Sequence, residues 1–279
     1  MRIGRGPMTM SRKIIWIAFG VVILSIVWIS VSKEKPTDSE TTSAQDLTAP
    51  QLYERAQAFR KNWDKLKAKE IYQSILTEYP DYENIEQVQK ELEDLNMQII
   101  FSNTPTPKTV IYEVQSGDTL GELAKKFGTT INLIKKSNHL KSDIIRIGQR
   151  LRVWTGSFNI LVDKSQNKLL LKEGDEVLKV YDVSTGKESS TPIGEFKILT
   201  KLVDPVWFNR GIVLPPESPQ NVLGSRWLGF NMPGYGLHGT IDPESIGRQI
   251  TAGCVRMRNE DVEELYEILP LGTEVVIIN

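Results

Sequence analysis

Cysteine and histidine are almost missing from this chain. Its 279 residues hold one cysteine, Cys254, and two histidines, His139 and His238. A lone cysteine excludes an internal disulfide. Cys254 is therefore a buried packing residue, an intermolecular link or a reactive thiol. So few cysteines and histidines also fit poorly with zinc, which takes four protein ligands in structural sites and three in catalytic ones. No metal and no cofactor is expected. An excess of charge is missing too: 34 Lys and Arg stand against 35 Asp and Glu, a net −1. Without a global basic field, no nucleic-acid partner is expected.

Long uncharged runs are absent except near the start. Ile14–Val31 holds eighteen residues without a charge. As a helix it would span about 27 Å, close to the thickness of a bilayer core. Arg2, Arg5, Arg12 and Lys13 precede it, and no acid occurs before Glu34. Residues 1–13 thus read as a cytoplasmic basic tail, residues 14–31 as a transmembrane anchor in inner-membrane lipid, and the rest as extracytoplasmic or periplasmic. The competing reading is a cleaved signal peptide, with Ser30 and Ser32 near the cut. Against it, the run exceeds the usual signal core of about 7–15 residues, and no A-x-A follows. Residues 32–50 hold no aromatic and one large aliphatic, so they read as a flexible tether.

Residues 51–102 turn helical. Leu52, Ala56, Phe59 and Trp63 fall at three- and four-residue steps, as do Ile71 and Ile75 before the breaker at Tyr79–Tyr82. Ile85, Val88, Leu92 and Leu95 mark a third helix. The pattern resembles one tetratricopeptide-like hairpin plus a capping helix. A solenoid needs about three repeats, so the expectation is a helical spacer, or a docking bundle for an envelope protein. Prolines in Asn103–Lys108 end it.

Residues 110–153 form a short β-α-α-β unit. "VIYEVQ" reads as a strand, Asp118 as a cap for "TLGELAKKFG", Gly128 as its stop, "TINLIKKSN" as a second helix and "QRLRV" as the return strand. The stretch "VQSGDTLGELAKKFGTTINLIKKSN" with "IRIGQRLRV" resembles a LysM module. That resemblance implies binding to N-acetylglucosamine-containing glycan strands. Gly117, Asp118, Thr119 and Leu120 on one side, and the Ile144–Ile147 segment with Ile145 on the other, would flank the groove. His139 reads as a surface or packing residue.

Residues 157–279 are mostly β. "FNILVD", "KLLLKE", "VLKVYDVST", "GEFKILT" and "TEVVIIN" are short apolar or β-branched runs between turn residues. One helix stands apart after Cys254. Asn259 reads as its cap, Val262, Leu265 and Ile268 as its inner face, and Pro270 with Gly272 as its stop.

Within this region "GYGLHGT" at 234–240 and "TAGCVRM" at 251–257 set His238 and Cys254 beside glycines. A thiol is a strong nucleophile as thiolate, and a nearby imidazole can take its proton. Backbone N–H groups of Ala252, Gly253 and Cys254 could converge on a developing oxyanion. Arg256, two residues on, would share the face of Cys254 in an extended segment.

Together with "VSTGK", "TPIGEFKI" and "NVLGSRW" in this order, the region resembles the YkuD-type L,D-transpeptidase catalytic domain. The order of histidine before cysteine separates it from papain-like and NlpC/P60 peptidases. The resemblance implies Cys254 as nucleophile, His238 as base, and Gly239 or Gly253 backbone orienting the imidazole. It also implies Arg256, Thr251 and Tyr235 at the substrate, while Trp227 reads as packing. Many members carry histidine where Ala252 stands here. The implied function is peptidoglycan 3→3 cross-linking through a Cys thioester with release of D-Ala, the partners being stem peptides and glycan strands. The rival readings are an L,D-carboxypeptidase and a non-catalytic, membrane-tethered wall-binding scaffold.

Overall fold

A computed structural model describes residues 47–279 other than Arg210. The uncharged run at 14–31, the basic tail before it and the tether up to residue 46 lie outside the described residues. Among the described residues, no helix is long and apolar enough to cross a membrane. The chain divides after Gln89 into two compact units.

In the first unit, α1 (Ala49–Lys61) begins inside the expected tether. Thr48 makes a capping box with Gln51, whose side-chain oxygen accepts from the Thr48 N–H at 2.9 Å, and Pro50 occupies the first turn. α2 (Lys65–Glu78) is capped by Asp64, which accepts from the Lys67 N–H at 3.2 Å. Leu52, Ala56, Ala68, Tyr72 and Ile75 are buried. Trp63 departs from the expected apolar face: it lies in the turn between the helices, at φ 64°, and is 83 % exposed. The three-to-four-residue periodicity of α1 stops at Lys61, and Trp63 reverses the chain instead.

α3 (Ile85–Phe101) crosses the division between the units. The division thus falls within the segment 51–102 expected as a helical spacer. Met97 and Ile100, in the last turns of α3, lie in the main core of the second unit.

The second unit opens with β1 (Thr109–Glu113), α4 (Leu120–Phe127), α5 (Ile131–Ser137) and β2 (Arg150–Trp154). β1 and β2 pair antiparallel, from Thr109 opposite Trp154 to Glu113 opposite Arg150. Thr119, not Asp118, caps α4, accepting from the Glu122 N–H at 3.2 Å. Asp118 instead closes the preceding turn, accepting from the Gln115 N–H at 2.7 Å and the Tyr112 hydroxyl at 2.9 Å. Gly128 ends α4 in the left-handed conformation.

The remaining strands are β3 (Phe158–Asp163), β4 (Lys168–Glu173), β5 (Glu176–Asp182), β6 (Thr185–Gly186), β7 (Gly194–Val203), β8 (Trp207–Asn209), β9 (Ile212–Leu214), β10 (Arg226–Phe230), β11 (Gly236–His238), β12 (Gln249–Thr251) and β13 (Val255–Arg256), followed by α6 (Asn259–Ile268) and β14 (Glu274–Ile278). Eight of them form one sheet in the order β13-β11-β10-β7-β14-β3-β4-β5. In β3, Phe158, Ile160 and Val162 are buried and alternate with half-buried residues, the period of a strand with one face on a core. The last strand, β14, enters the middle, parallel to β3 and antiparallel to β7. α6 packs across β10 and β11, burying Val262, Leu265 and Ile268. The expected mostly-β domain with one helix after Cys254 is what forms.

Candidate active site

His238 and Cys254 are sixteen positions apart in sequence, but neighbouring strands bring them together. β11 and β13 run parallel, with Leu237 opposite Val255 and His238 opposite Arg256. Cys254 ends the loop that feeds β13. That loop is closed by Thr251, whose hydroxyl donates to the Cys254 carbonyl at 2.6 Å and accepts from the Gly253 N–H at 3.2 Å. Gly253 has φ 139°, which disfavours any side chain. A Cβ there would also lie 2.7 Å from the Tyr235 ring and 3.1 Å from the Ser190 carbonyl.

Cys254 is half-buried, and its thiol donates to the Gly234 carbonyl at 3.3 Å. Burial pushes the thiol up to about 11, against the opposing pull of the Gly236 N–H and the Arg256 charge. His238 is 3 % exposed and stacks on Trp227, ring centres 6.1 Å apart. Its Nδ1 lies 2.7 Å from the Gly239 carbonyl oxygen. A carbonyl only accepts, so Nδ1 carries the proton and Nε2 is the basic nitrogen. Burial pulls this imidazole down to about 4; the Gly239 and Leu223 carbonyls favour its charged form, and the Arg256 charge opposes it. At neutral pH the pair is thus a neutral thiol and a neutral imidazole. No hydrogen bond joins the two among the described residues, the thiol proton being directed at Gly234. Catalytic hydrogen bonds in unliganded sites often tighten only when substrate arrives.

Arg256 sits half-buried at the same edge. Its guanidinium donates to the Ser245 hydroxyl at 3.0 Å, while its Nε is buried without a partner. Its backbone N–H and carbonyl both pair with Ser184, at 2.8 Å each. Burial lowers its pKa and the nearby Asp242 charge raises it.

Three of the expected site residues make contacts within the loop and the core. The Gly253 N–H donates to the Thr251 hydroxyl, which leaves the Ala252 and Cys254 N–H groups of the loop as the candidate oxyanion donors. Thr251, expected at the substrate, is buried, and its hydroxyl closes the loop. The Tyr235 ring packs over Gly253 and against the main core. Ala252 is exposed beside the cysteine. In the β-α-α-β module, Gly117 and Thr119 are exposed, but Leu120 is buried in the module core and Ile145 packs against it. Ile144 and Ile147 are the outward residues of that segment, 79 % and 73 % exposed.

Sequence reasoning missed the stacking of Trp227 on His238. Counting outward from the four-residue turn Asn231–Gly234 in an antiparallel hairpin sets Trp227 opposite His238, as observed. The Leu223 carbonyl and the Ser184–Ser245 pair, joined by a 2.7 Å bond from the Ser184 hydroxyl to the Ser245 carbonyl, carry no comparable local signal.

Comparison with known proteins agrees with this geometry. Residues 157–277 match the L,D-transpeptidase catalytic domain, YkuD, and residues 112–154 match the LysM domain. The chain is 40 % identical over 124 residues to "Putative L,D-transpeptidase YqjB" of Bacillus subtilis, covering 42 % of this chain and 69 % of that protein. It is 32 % identical over 173 residues to "Putative L,D-transpeptidase YkuD" of the same organism, covering 60 % of this chain and 97 % of that one. The corresponding protein of Bacillus licheniformis is 33 % identical over 176 residues, covering 60 % of this chain and 98 % of that one. With an imidazole on one strand and a thiol at the start of its neighbour in the matched domain, the chain belongs to the YkuD-type L,D-transpeptidases, cysteine-dependent acyltransferases of peptidoglycan, and carries a LysM domain ahead of its catalytic domain.

Proposed function

We propose that the chain cross-links peptidoglycan 3→3, with Cys254 as nucleophile and His238 as general base. The observation that carries this reading is the buried imidazole whose Nδ1 lies 2.7 Å from the Gly239 carbonyl oxygen, on the strand beside the one that follows the single thiol. As Cys254 Sγ attacks the carbonyl at the L-centre of diaminopimelate in a tetrapeptide stem, the thiol proton passes to His238. An S–C bond forms, and the oxyanion faces the Ala252 and Cys254 N–H groups. Collapse breaks the C–N bond to the terminal D-Ala, whose amine takes the proton from His238, and a thioester remains. The side-chain amine of a second stem then attacks the thioester. A C–N bond forms, the C–S bond breaks, and the amine proton returns to the thiol through His238. Bond energy is carried over through the acyl-enzyme, so no nucleotide is needed.

Arg256 places a fixed positive charge beside the thiol, suited to the carboxylates of the stem peptide. The LysM domain would hold glycan strands through the exposed Ile144–Ile147 segment and Gly117–Thr119 turn, raising the local concentration of stems. The run at 14–31 is read as a retained anchor, on its length and on the four basic residues, with no acid, that precede it.

Incubation with a defined tetrapeptide, followed by mass spectrometry of the products, tests the reaction. A cross-linked dimer with free D-Ala is expected. Tripeptide alone would identify water as the acceptor, and unchanged tetrapeptide would overturn the reading.

A further inference from the structure

The imidazole of His238 is oriented by one peptide group, and that group is itself held from its other end. The Gly239 carbonyl accepts from His238 Nδ1 at 2.7 Å. The N–H of the same peptide, on Thr240, donates to the side-chain oxygen of Asn259 at 3.0 Å. Asn259 Oδ1 also accepts from the Ser225 N–H at 3.1 Å. Asn259 is the first residue of α6, and its residue type suits a cap of that helix. In the fold it does not cap. Arg258 occupies the cap position, and the Asn259 oxygen bonds outward to two loops.

Those loops are shaped to receive it. A Cβ on Gly239 would lie 2.1 Å from Asn259 Oδ1, and one on Gly224 would lie 2.3 Å from it. Gly224 also has φ 64°. The glycine after the histidine in "HGT" and the glycine in "LGS" thus clear the approach of one amide oxygen.

From this geometry we infer that Asn259 is a positioning residue for the base, acting on His238 through the Gly239–Thr240 peptide. A peptide group is planar and rigid, so fixing the direction of its N–H fixes the direction of its carbonyl. Hydrogen bonding at the N–H also polarises the carbonyl and strengthens the bond it accepts. The chain Asn259–Thr240–Gly239–His238 thereby selects the tautomer with the proton on Nδ1 and leaves Nε2 to the thiol. An uncharged side chain and a peptide orient the imidazole here, where other sites use a carboxylate. The inference rests on the proposal that His238 is the base, and its test separates the two.

The test compares Asn259→Leu, which removes the acceptor at similar volume, with Asn259→Asp, which keeps an acceptor oxygen. Two readings are taken on full-length protein: the rate of Cys254 acylation, and the nitrogen chemical shifts of ¹⁵N-histidine. With two histidines in the chain, His139→Gln assigns the spectrum. Unsubstituted protein and Asn259→Asp should show His238 protonated at Nδ1. Asn259→Leu should show averaged tautomers and acylation slowed about 10–100-fold, the order seen when a metal-bound histidine loses its outer hydrogen-bond partner. A folded Asn259→Leu that keeps the Nδ1–H signature would overturn the positioning role, whatever its rate. Where a variant does not fold, the Thr240 amide of the unsubstituted protein decides. Slow hydrogen exchange is expected, and exchange as fast as in a free loop would refute the contact. Normal acylation by His238→Gln would sink the base assignment, yet leave the tautomer comparison readable.

Discussion

At the scale of single residues, the site is set by burial. A thiol at about 11 and an imidazole at about 4 lie on opposite sides of neutrality, each in its uncharged form. A preformed thiolate–imidazolium pair is disfavoured, so the proton moves as the carbonyl is attacked. The rate of Cys254 acylation should therefore be flat from about pH 6 to 9 and fall only as His238 protonates toward the acid end. Stopped-flow acylation across that range checks this, and a limb centred near the ordinary imidazole value of about 6.5 would contradict it. The same shift enters stability. Because the folded imidazole titrates below its unfolded value, its contribution is full above about 6.5 and is lost as pH falls toward the folded value. Removing the base by His238→Gln should slow acylation about 10²–10⁴-fold with the fold intact by circular dichroism. Near-normal acylation would refute the histidine assignment.

At the scale of elements, the LysM domain is fused to the catalytic domain by more than chain connectivity. Leu133 of α5 and Trp154 of β2 belong to the main catalytic core, where Trp154 stacks on Phe158 with ring centres 5.5 Å apart. The guanidinium of Arg152 is buried and donates to the carbonyls of Ile100 at 3.0 Å and Ile99 at 3.2 Å. Those carbonyls lie in the last turn of α3, the negative end of a helix dipole. Burial lowers Arg152 to about 10, which leaves it cationic at neutral pH. Arg152→Met leaves the Ile100 carbonyl without that donor, while Ile99 keeps those of Ser102, and should cost about 1–3 kcal/mol. Denaturant melts measure this, and an unchanged midpoint would show the contact to be idle. Binding should reside elsewhere on the domain. Replacing the outward Ile144 and Ile147 with aspartate should lower co-sedimentation with purified sacculi several-fold without moving that midpoint, and unchanged pelleting would remove the segment from the groove.

The same elements show what is legible in the sequence. Strand β3 and helix α6 are readable because their periods are strictly local. Trp63 and Leu120 are misplaced because local pattern does not reveal where a helix turns or which face of a loop a neighbouring core covers. His238 and Cys254 stand out by rarity and by their glycine neighbours. Asn259 does not, because its partners are backbone N–H groups 19 and 34 residues away, which no spacing rule reaches. The cap reading fails for the same reason: the tertiary donors outcompete the local one.

At the scale of the whole molecule, the described chain is a helical unit followed by a unit that joins the glycan module and the catalytic sheet. The proposed anchor would add a fixed base at the membrane. Mature protein recovered from membranes should begin upstream of Ile14, and an N-terminus near Ser32 would identify a signal peptide instead. The central claim is that Cys254 becomes acylated, and the intact mass of the protein after exposure to donor tetrapeptide tests it most directly. The account predicts a mass increase equal to the donor less D-Ala on unsubstituted protein, reversed by an acceptor amine, and none on Cys254→Ala. An adduct that persists on Cys254→Ala, or none on the unsubstituted protein, would contradict it.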